Sequence, residues 1–241
     1  MGNDFNVVNQ NGTFWHFSTQ EQFGTNYDNG PNLLHWTGNE KFLYFAFINS
    51  IGGPGPVRPN AEVLFRMDLS TGNVVIVLGS IPRTYEEWVI HPFFIISISP
   101  TSRRLAYVAY RSSQLKLHVL DLQSGTKETI PVEPEYNLIG EITWSETGEQ
   151  LVYMLYHYTD NFGYDSCSYT YAIRWLDLRD DSTTTFIKNI AMDPCIDYSA
   201  SSYQAVSVSP DQVILKRGEE MWEYDVKSQK LNLQVTVTPS P

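Results

Sequence analysis

Cysteine, histidine and positive charge are all scarce in this sequence, and each scarcity excludes something. Two cysteines, Cys167 and Cys195, in 241 residues are too few for a disulfide framework or a zinc ribbon. The five histidines, His16, His35, His91, His118 and His157, are scattered and show no metal-ligand spacing. His35 and His118 fall in strand-like runs and are expected to pack. His91 and His157 fall in loops and are the two open to a metal or acid–base role. Lys and Arg number 16 against 27 Asp and Glu, for a net charge of −11. That balance argues against a nucleic-acid partner, which needs a basic face, and against attachment to an anionic membrane surface. Its simplest consequence is a soluble surface that repels its own copies. No run approaches the ~20 apolar residues of a membrane-spanning helix, so no membrane insertion is expected. The first residues carry no signal-peptide pattern, which leaves a cytoplasmic protein or one whose leader was removed before this chain was made. Met1-Gly2 opens no myristoylation motif, because residue six is Asn.

Motifs that carry chemistry are missing too. There is no Gly-x-Ser-x-Gly nucleophile elbow. The glycine-rich segment 51–56 lacks the Lys-Ser/Thr ending of a phosphate loop, and its prolines remove amide donors. No cofactor is expected. Asp160 and Asp165 bracket a loop with calcium-compatible oxygens but without EF-hand spacing, so no metal is assigned.

What the chain does have is aromatic and β-branched. Fifteen Tyr, twelve Phe and six Trp, with abundant Val, Ile and Thr, favour strands over helices. Its length suits one large domain or two small ones, with ample material for a packed core. The clearest unit is residues 95–128. One apolar run ends in Ser99-Pro100, a polar turn follows, and a second run covers Leu105 to Tyr110. A third, Leu115 to Leu122, closes on Asp121-Leu122 before a Ser124-Gly125 turn.

The unit recurs. Trp36, Ile98, Trp144 and Val208 align near the end of a first strand, and Asp68, Asp121, Asp177 and Asp225 at the end of a third. The spacing is roughly 50 residues, and repeats of about 40–50 residues with four strands each signal a β-propeller. Ahead of the repeats, two short apolar runs flank Asn11-Gly12, a strong hairpin signal. The expectation is an all-β fold, a β-propeller of four-stranded antiparallel blades with four full blades plus an N-terminal hairpin. It would be a small five-bladed ring or part of a larger one. The single domain spans 1–237, with the hairpin at 5–18, blades at about 33–79, 93–131, 139–188 and 203–237, and a linker-like tail at 238–241. A lone hairpin exposes unpaired strand edges. It therefore pairs with the last blade, forms a reduced fifth blade, or belongs to a longer propeller.

Ser99-Pro100-Thr101-Ser102-Arg103-Arg104-Leu105-Ala106-Tyr107 and Ser209-Pro210-Asp211 resemble the S-P-D-G-x-x-L-A-F pattern of TolB-like, WD40-like (PD40-type) propeller repeats. Leu120-Asp121-Leu122 through Gly125 is similar to the same family's V-x-D-L-x-T-G strand and turn. The pattern departs at Thr101, Glu146 and Gln212, where the usual turn Asp or Gly is missing, and lacks the Gly-His start and Trp-Asp end of true WD40 blades. The resemblance implies the fold. The family includes partner-binding periplasmic proteins and the propeller domains of serine peptidases, so it implies no one function.

In a four-stranded meander, the first-to-second and third-to-fourth turns share one face of the ring. Second-to-third loops and blade crossings share the other. Here the first face carries only tight turns, while nearly all long loops fall on the second, where binding concentrates. Its candidate contacts are Tyr85, Glu86, Glu87, Trp88, Glu135, Tyr136, Tyr158, Asp160, Tyr164, Asp165, Asp197 and Tyr198. Aromatic side chains give large contact areas at low entropy cost. The alternative is that the aromatics pack loops onto blades while the acids are merely solvated. Cys167 and Cys195 both fall on this face, where a disulfide is open to them and would imply an oxidising, extracytoplasmic compartment; the alternative is two unrelated thiols in a cytosolic protein. The expected function is non-enzymatic binding of a protein or peptide partner. A glycan partner, or a carbohydrate-active propeller with acids near the axis, is the competing class.

Overall fold

The computed structural model describes residues 4–8, 11–18, 21, 31–37, 41–50, 59–79, 93–111, 114–159, 168–180, 182–192 and 203–236. A hairpin comes first, β1 (Asp4–Val8) and β2 (Phe14–Ser18). Blade 1 is β3 (Pro31–Trp36), β4 (Phe42–Ser50), β5 (Pro59–Asp68) and β6 (Val74–Gly79). Blade 2 is β7 (Phe93–Ile98), β8 (Arg104–Arg111), β9 (Gln114–Asp121) and β10 (Lys127–Ile130). Blade 3 is β11 (Leu138–Trp144), β12 (Gln150–Thr159), β13 (Ser168–Asp177) and β14 (Ser182–Met192). Blade 4 is β15 (Gln204–Val208), β16 (Gln212–Arg217), β17 (Glu220–Asp225) and β18 (Lys230–Thr236). Among the described residues every pairing is antiparallel between sequence neighbours, save one bridge, Ala61 to Phe93, that ties blade 1 to blade 2.

The sheets stack face to face because successive side chains on a strand point to opposite faces. On β12, Leu151, Tyr153 and Leu155 join Ala106, Val108, Leu117 and Val119 of blade 2 in one core. Their neighbours Val152, Met154 and Tyr156 join Tyr203, Val208, Val213 and Leu215 of blade 4 in another. The same division on β4 sends Tyr44 and Ala46 toward Leu105 and Tyr107 of blade 2, and Leu43 and Phe45 toward the hairpin. Side chains buried this way stabilise by about 2 kcal/mol each. Burial follows: β12 is buried without a break from Leu151 to Tyr156, whereas Val213 and Leu215 on β16 alternate with more exposed neighbours. Among the described residues the fourth sheet is covered on one face, the third on both.

The hairpin pairs only within itself among the described residues and lies on blade 1 through Val7, Phe17, Phe5 and Trp15. Phe17 meets the Phe45 ring edge-on, and Phe45 stacks on Phe65 with centroids 5.3 Å apart. The hairpin covers the face of blade 1 that points away from blade 2.

The repeated polar residues close the turns. In each first-to-second turn a hydroxyl accepts from the amide that starts the second strand. These are Thr37 from Phe42 at 2.9 Å, Ser99 from Arg104 at 3.0 Å, Ser145 from Gln150 at 3.1 Å and Ser209 from Gln212 at 3.1 Å. In each third-to-fourth turn the aspartate accepts amides two or three residues on: Asp68 from Ser70, Asp121 from Gln123 and Ser124, Asp177 from Arg179, Asp225 from Ser228. Such Asx and Ser/Thr turns are why these residue types recur at these offsets. The residue after each aspartate adds a rung across the blade, with Leu69, Leu122, Leu178 and Val226 donating to the carbonyls of Lys41, Arg103, Glu149 and Asp211.

Hydrogen bonds to the ionised form hold all four aspartates below the usual carboxylate range, Asp121 at about 2 through the Ser124 amide first. A depressed carboxylate stabilises the fold in full above its unfolded value and loses that contribution as pH falls through the folded value. Denaturant midpoints should therefore drop between pH 4 and pH 2, and Asp121→Asn, which keeps the turn acceptor, should show a shallower drop over the same interval. An unchanged slope would remove Asp121 from this account.

Two glycines separate backbone strain from packing. Gly72 and Gly125 both have φ of 75°, but a Cβ on Gly125 meets open space while one on Gly72 lies 2.5 Å from the Trp15 ring. Trp15 also donates its indole N–H to the Leu69 carbonyl at 3.3 Å. Gly125→Ala should cost about 1 kcal/mol for the left-handed backbone alone. Gly72→Ala should cost more and shift tryptophan emission as Trp15 is displaced; equal costs in urea denaturation would contradict the hairpin's seating.

Candidate functional site

The described part of the long-loop face is the crossing from blade 2 to blade 3, residues 131–137, with the strand ends beneath it. The crossing is held at three points. The Asn137 amide donates to the Tyr156 carbonyl at 3.0 Å, extending the β11–β12 ladder past its last pair. His157 Nδ1–H donates to the Glu135 carbonyl. A carbonyl can only accept, so this bond places the proton on Nδ1 and, in the neutral ring, the lone pair on Nε2. The third point is an ion pair in which Arg174 Nη2 donates to Glu133 Oε1.

Arg174 is the least expected residue here. It sits on β13 between Ala172 and Leu176, on the face toward blade 2, and its side chain is 9% exposed. Its register partner on β12 is Tyr153. The Tyr153 hydroxyl lies buried beside the guanidinium without hydrogen-bond geometry, and burial pushes its pKa up against the pull of the Arg174 charge. The guanidinium also lies 6.0 Å from the Tyr136 ring centroid. A charge this buried persists only when paired, and Glu133 supplies the pairing. Arg174 thus ties the crossing to the third blade.

The expected contact residues divide accordingly. Glu135 is exposed at the outer edge of the crossing. Tyr136 is 4% exposed and packs in the core between blades 2 and 3. For this one ring, packing of a loop onto a blade, the alternative weighed for the aromatics, is what the burial describes. Tyr158 stands on β12 opposite Tyr169. Tyr85, Glu86, Glu87 and Trp88, then Asp160, Tyr164, Asp165 and Cys167, and finally Cys195, Asp197 and Tyr198 lie outside the described residues. Sequence reasoning passed over Arg174 and Tyr153. The available signal was a lone arginine interrupting the apolar run Tyr171–Trp175 at a core-facing position. Among the described residues, no group of three or more His, Cys, Asp and Glu side chains could hold a metal ion.

No family model and no curated protein matches this chain. Solved structures do. An oligogalacturonate lyase in complex with manganese matches with a TM-score of 0.55 and 12% identity, over 98% of this chain and 60% of that one. Dipeptidyl peptidase 4 of Porphyromonas gingivalis matches with a TM-score of 0.54 and 10% identity, over 96% of this chain and 38% of that one. The fold is that of propeller blades. A putative TolB from Agrobacterium tumefaciens is matched over 76% of this chain and 59% of that one, at 14% identity and a TM-score of 0.41. At these identities the likeness concerns the fold alone. The chain spans about three fifths of the lyase and a smaller share of the peptidase.

Removing Glu133 would take away the ion pair of the buried Arg174 guanidinium and unpin the crossing. Glu133→Ala, which leaves the buried Arg174 charge without its ion pair, should destabilise by about 3 kcal/mol, and Tyr136→Ala by about 3 kcal/mol through the void it leaves. Exposed Glu135→Ala should change urea stability by less than about 0.5 kcal/mol. Three equal, small effects would mean that the crossing is not clamped.

Proposed function

We propose that this chain is a non-enzymatic propeller module that binds a protein or peptide partner through the long-loop face, with the 131–137 crossing as one fixed edge. The observation that supports this most directly is the clamp on that crossing. His157 and the Asn137 amide hold its backbone and Arg174 its Glu133 side chain, while Glu135 stays exposed. A loop ordered before binding loses less entropy when a partner arrives. The charge of −11 and the acids Glu86, Glu87, Asp160, Asp165 and Asp197, which the sequence pattern assigns to the long-loop connections, favour a partner with basic residues. Trp88, Tyr85, Tyr164 and Tyr198 would supply its apolar contacts.

Cys167 and Cys195 belong to this reading as a brace. Tyr169 and Met192 face each other across β13 and β14, and the cysteines stand two and three residues beyond that pair in sequence. A short reach between paired strand ends suits a disulfide, which would set the protein in an oxidising compartment.

Selection of peptides from a random display library against the full chain tests the reading. Basic, aromatic-containing peptides should emerge with affinities near the micromolar range. Glu135→Lys should weaken them about tenfold through charge reversal while the melting temperature holds. Failure to select any peptide, selection unaffected by Glu135→Lys, or saturable binding to glycans alone would overturn it.

A further inference from the structure

Comparing the same position across repeats singles out one interface. The residue two before each turn aspartate lies on the third strand and faces the following blade. In blades 2 and 3 it is Val119 and Trp175, both buried in inter-blade cores. In blade 1 it is Arg66. The pairing extends the contrast across the sheet: blade 1 presents the row His35, Tyr44, Arg66, where blade 2 presents Ser97, Ala106, Val119 and blade 3 presents Thr143, Val152, Trp175. The later seams are closed by apolar bulk. The first holds a cleft of about 830 Å³ at the tight-turn end, lined by Lys41, Phe42, Tyr44, Arg66, Ser102 and Arg103 among others. That volume is in the range of small-molecule sites.

Three cations reach this cleft in a chain that is otherwise strongly acidic. The Arg66 guanidinium lies 4.6 Å from the Phe42 ring centroid, and the Lys41 ammonium 5.0 Å from the same ring. A ring face orders the guanidinium without using its in-plane N–H donors, one of which is directed to the Tyr44 hydroxyl, leaving the rest of the fork for a ligand. Two like charges on one ring repel, and an anion between them would relieve that repulsion. Arg103 pairs with Asp121 at 3.1 Å, whereas among the described residues no carboxylate forms an ion pair with Arg66.

The rim carries a second departure. Ser102 is held at φ 58°, the left-handed slot that Gly148 fills at 69° in the next blade. For a residue with a side chain this conformation is strained. Its hydroxyl is 2.9 Å from His35 Nε2, which ties the turn of blade 2 to blade 1 across the mouth of the cleft.

We infer that the cleft between blades 1 and 2 binds a small anion with carboxylate or phosphate oxygens. Arg66 is its fork-shaped donor, Lys41 and Arg103 are flanking charges, and the Ser102 hydroxyl is a rim contact. The site lies on the face opposite the long loops, so it stands or falls apart from the partner-binding reading.

Calorimetric titration of the full chain with inorganic phosphate, and separately with malonate, tests this. At least one should bind saturably with Kd of about 1 mM or tighter at low salt, and weaken as salt is raised. Whichever binds more tightly names the source of the oxygens. Arg66→Met keeps a long stem over Phe42 and should weaken binding about tenfold or more, while Lys216→Met on blade 4 should not change it. Should Arg66→Met lose its cooperative melt, Arg103→Gln, at a largely exposed position, should still weaken binding about threefold. Absence of saturable binding by either anion overturns the inference, as does undiminished binding by the folded variants.

Discussion

The structure depends on sheets being buried on both faces at once. A strand sends alternate side chains to opposite sides, so a blade in the middle of the stack must be apolar at nearly every position of its second and third strands. Residues Leu151 to Tyr156 meet that demand in full, feeding two separate cores with alternate residues. A one-residue slip of β12 would exchange the Leu151 set for the Val152 set and mismatch both seams. Register in one blade is thereby coupled to packing in its neighbours, and the hairpin joins the same system through Phe17 and Val7.

The turn chemistry supplies what the apolar cores cannot, a fixed register for each blade. Four hydroxyls and four aspartates close two turns per blade, and one extra amide rung per blade joins them. These polar groups sit at the tight-turn end, leaving the other end free for insertions of different length. That division lets the crossing at 131–137 take a conformation of its own, secured by Arg174 rather than by the repeat.

Fold and turns were legible in the sequence because they repeat. The alignment of Asp68, Asp121, Asp177 and Asp225 marks the ends of β5, β9, β13 and β17, and Trp36, Ile98, Trp144 and Val208 end the four first strands. The place of the hairpin was not legible, since the apolar pattern of Phe5 to Ser18 suits any neighbouring sheet. The candidate site was harder to read for a physical reason. Exposure of Tyr136 and Glu135 is decided by how a seven-residue crossing lies on the next blade, and that is set by Arg174, distant in sequence. Repeats report what blades share, whereas Arg66 and Arg174 are informative where blades differ.

Two surfaces result on one scaffold, a clamped acidic edge among long loops and a basic cleft among tight turns. Both rest on the stacking order of hairpin, blade 1, blade 2, blade 3 and blade 4. Amide hydrogen exchange of the full chain tests that order most directly, because protection follows burial on both faces. The account predicts the slowest exchange in β4, β8 and β12, slow exchange at Val7 and Phe17 of the hairpin, and faster exchange in β6 and β18, which carry more exposed residues. A hairpin that exchanges like a free peptide, or β6 and β18 as protected as β12, would contradict it.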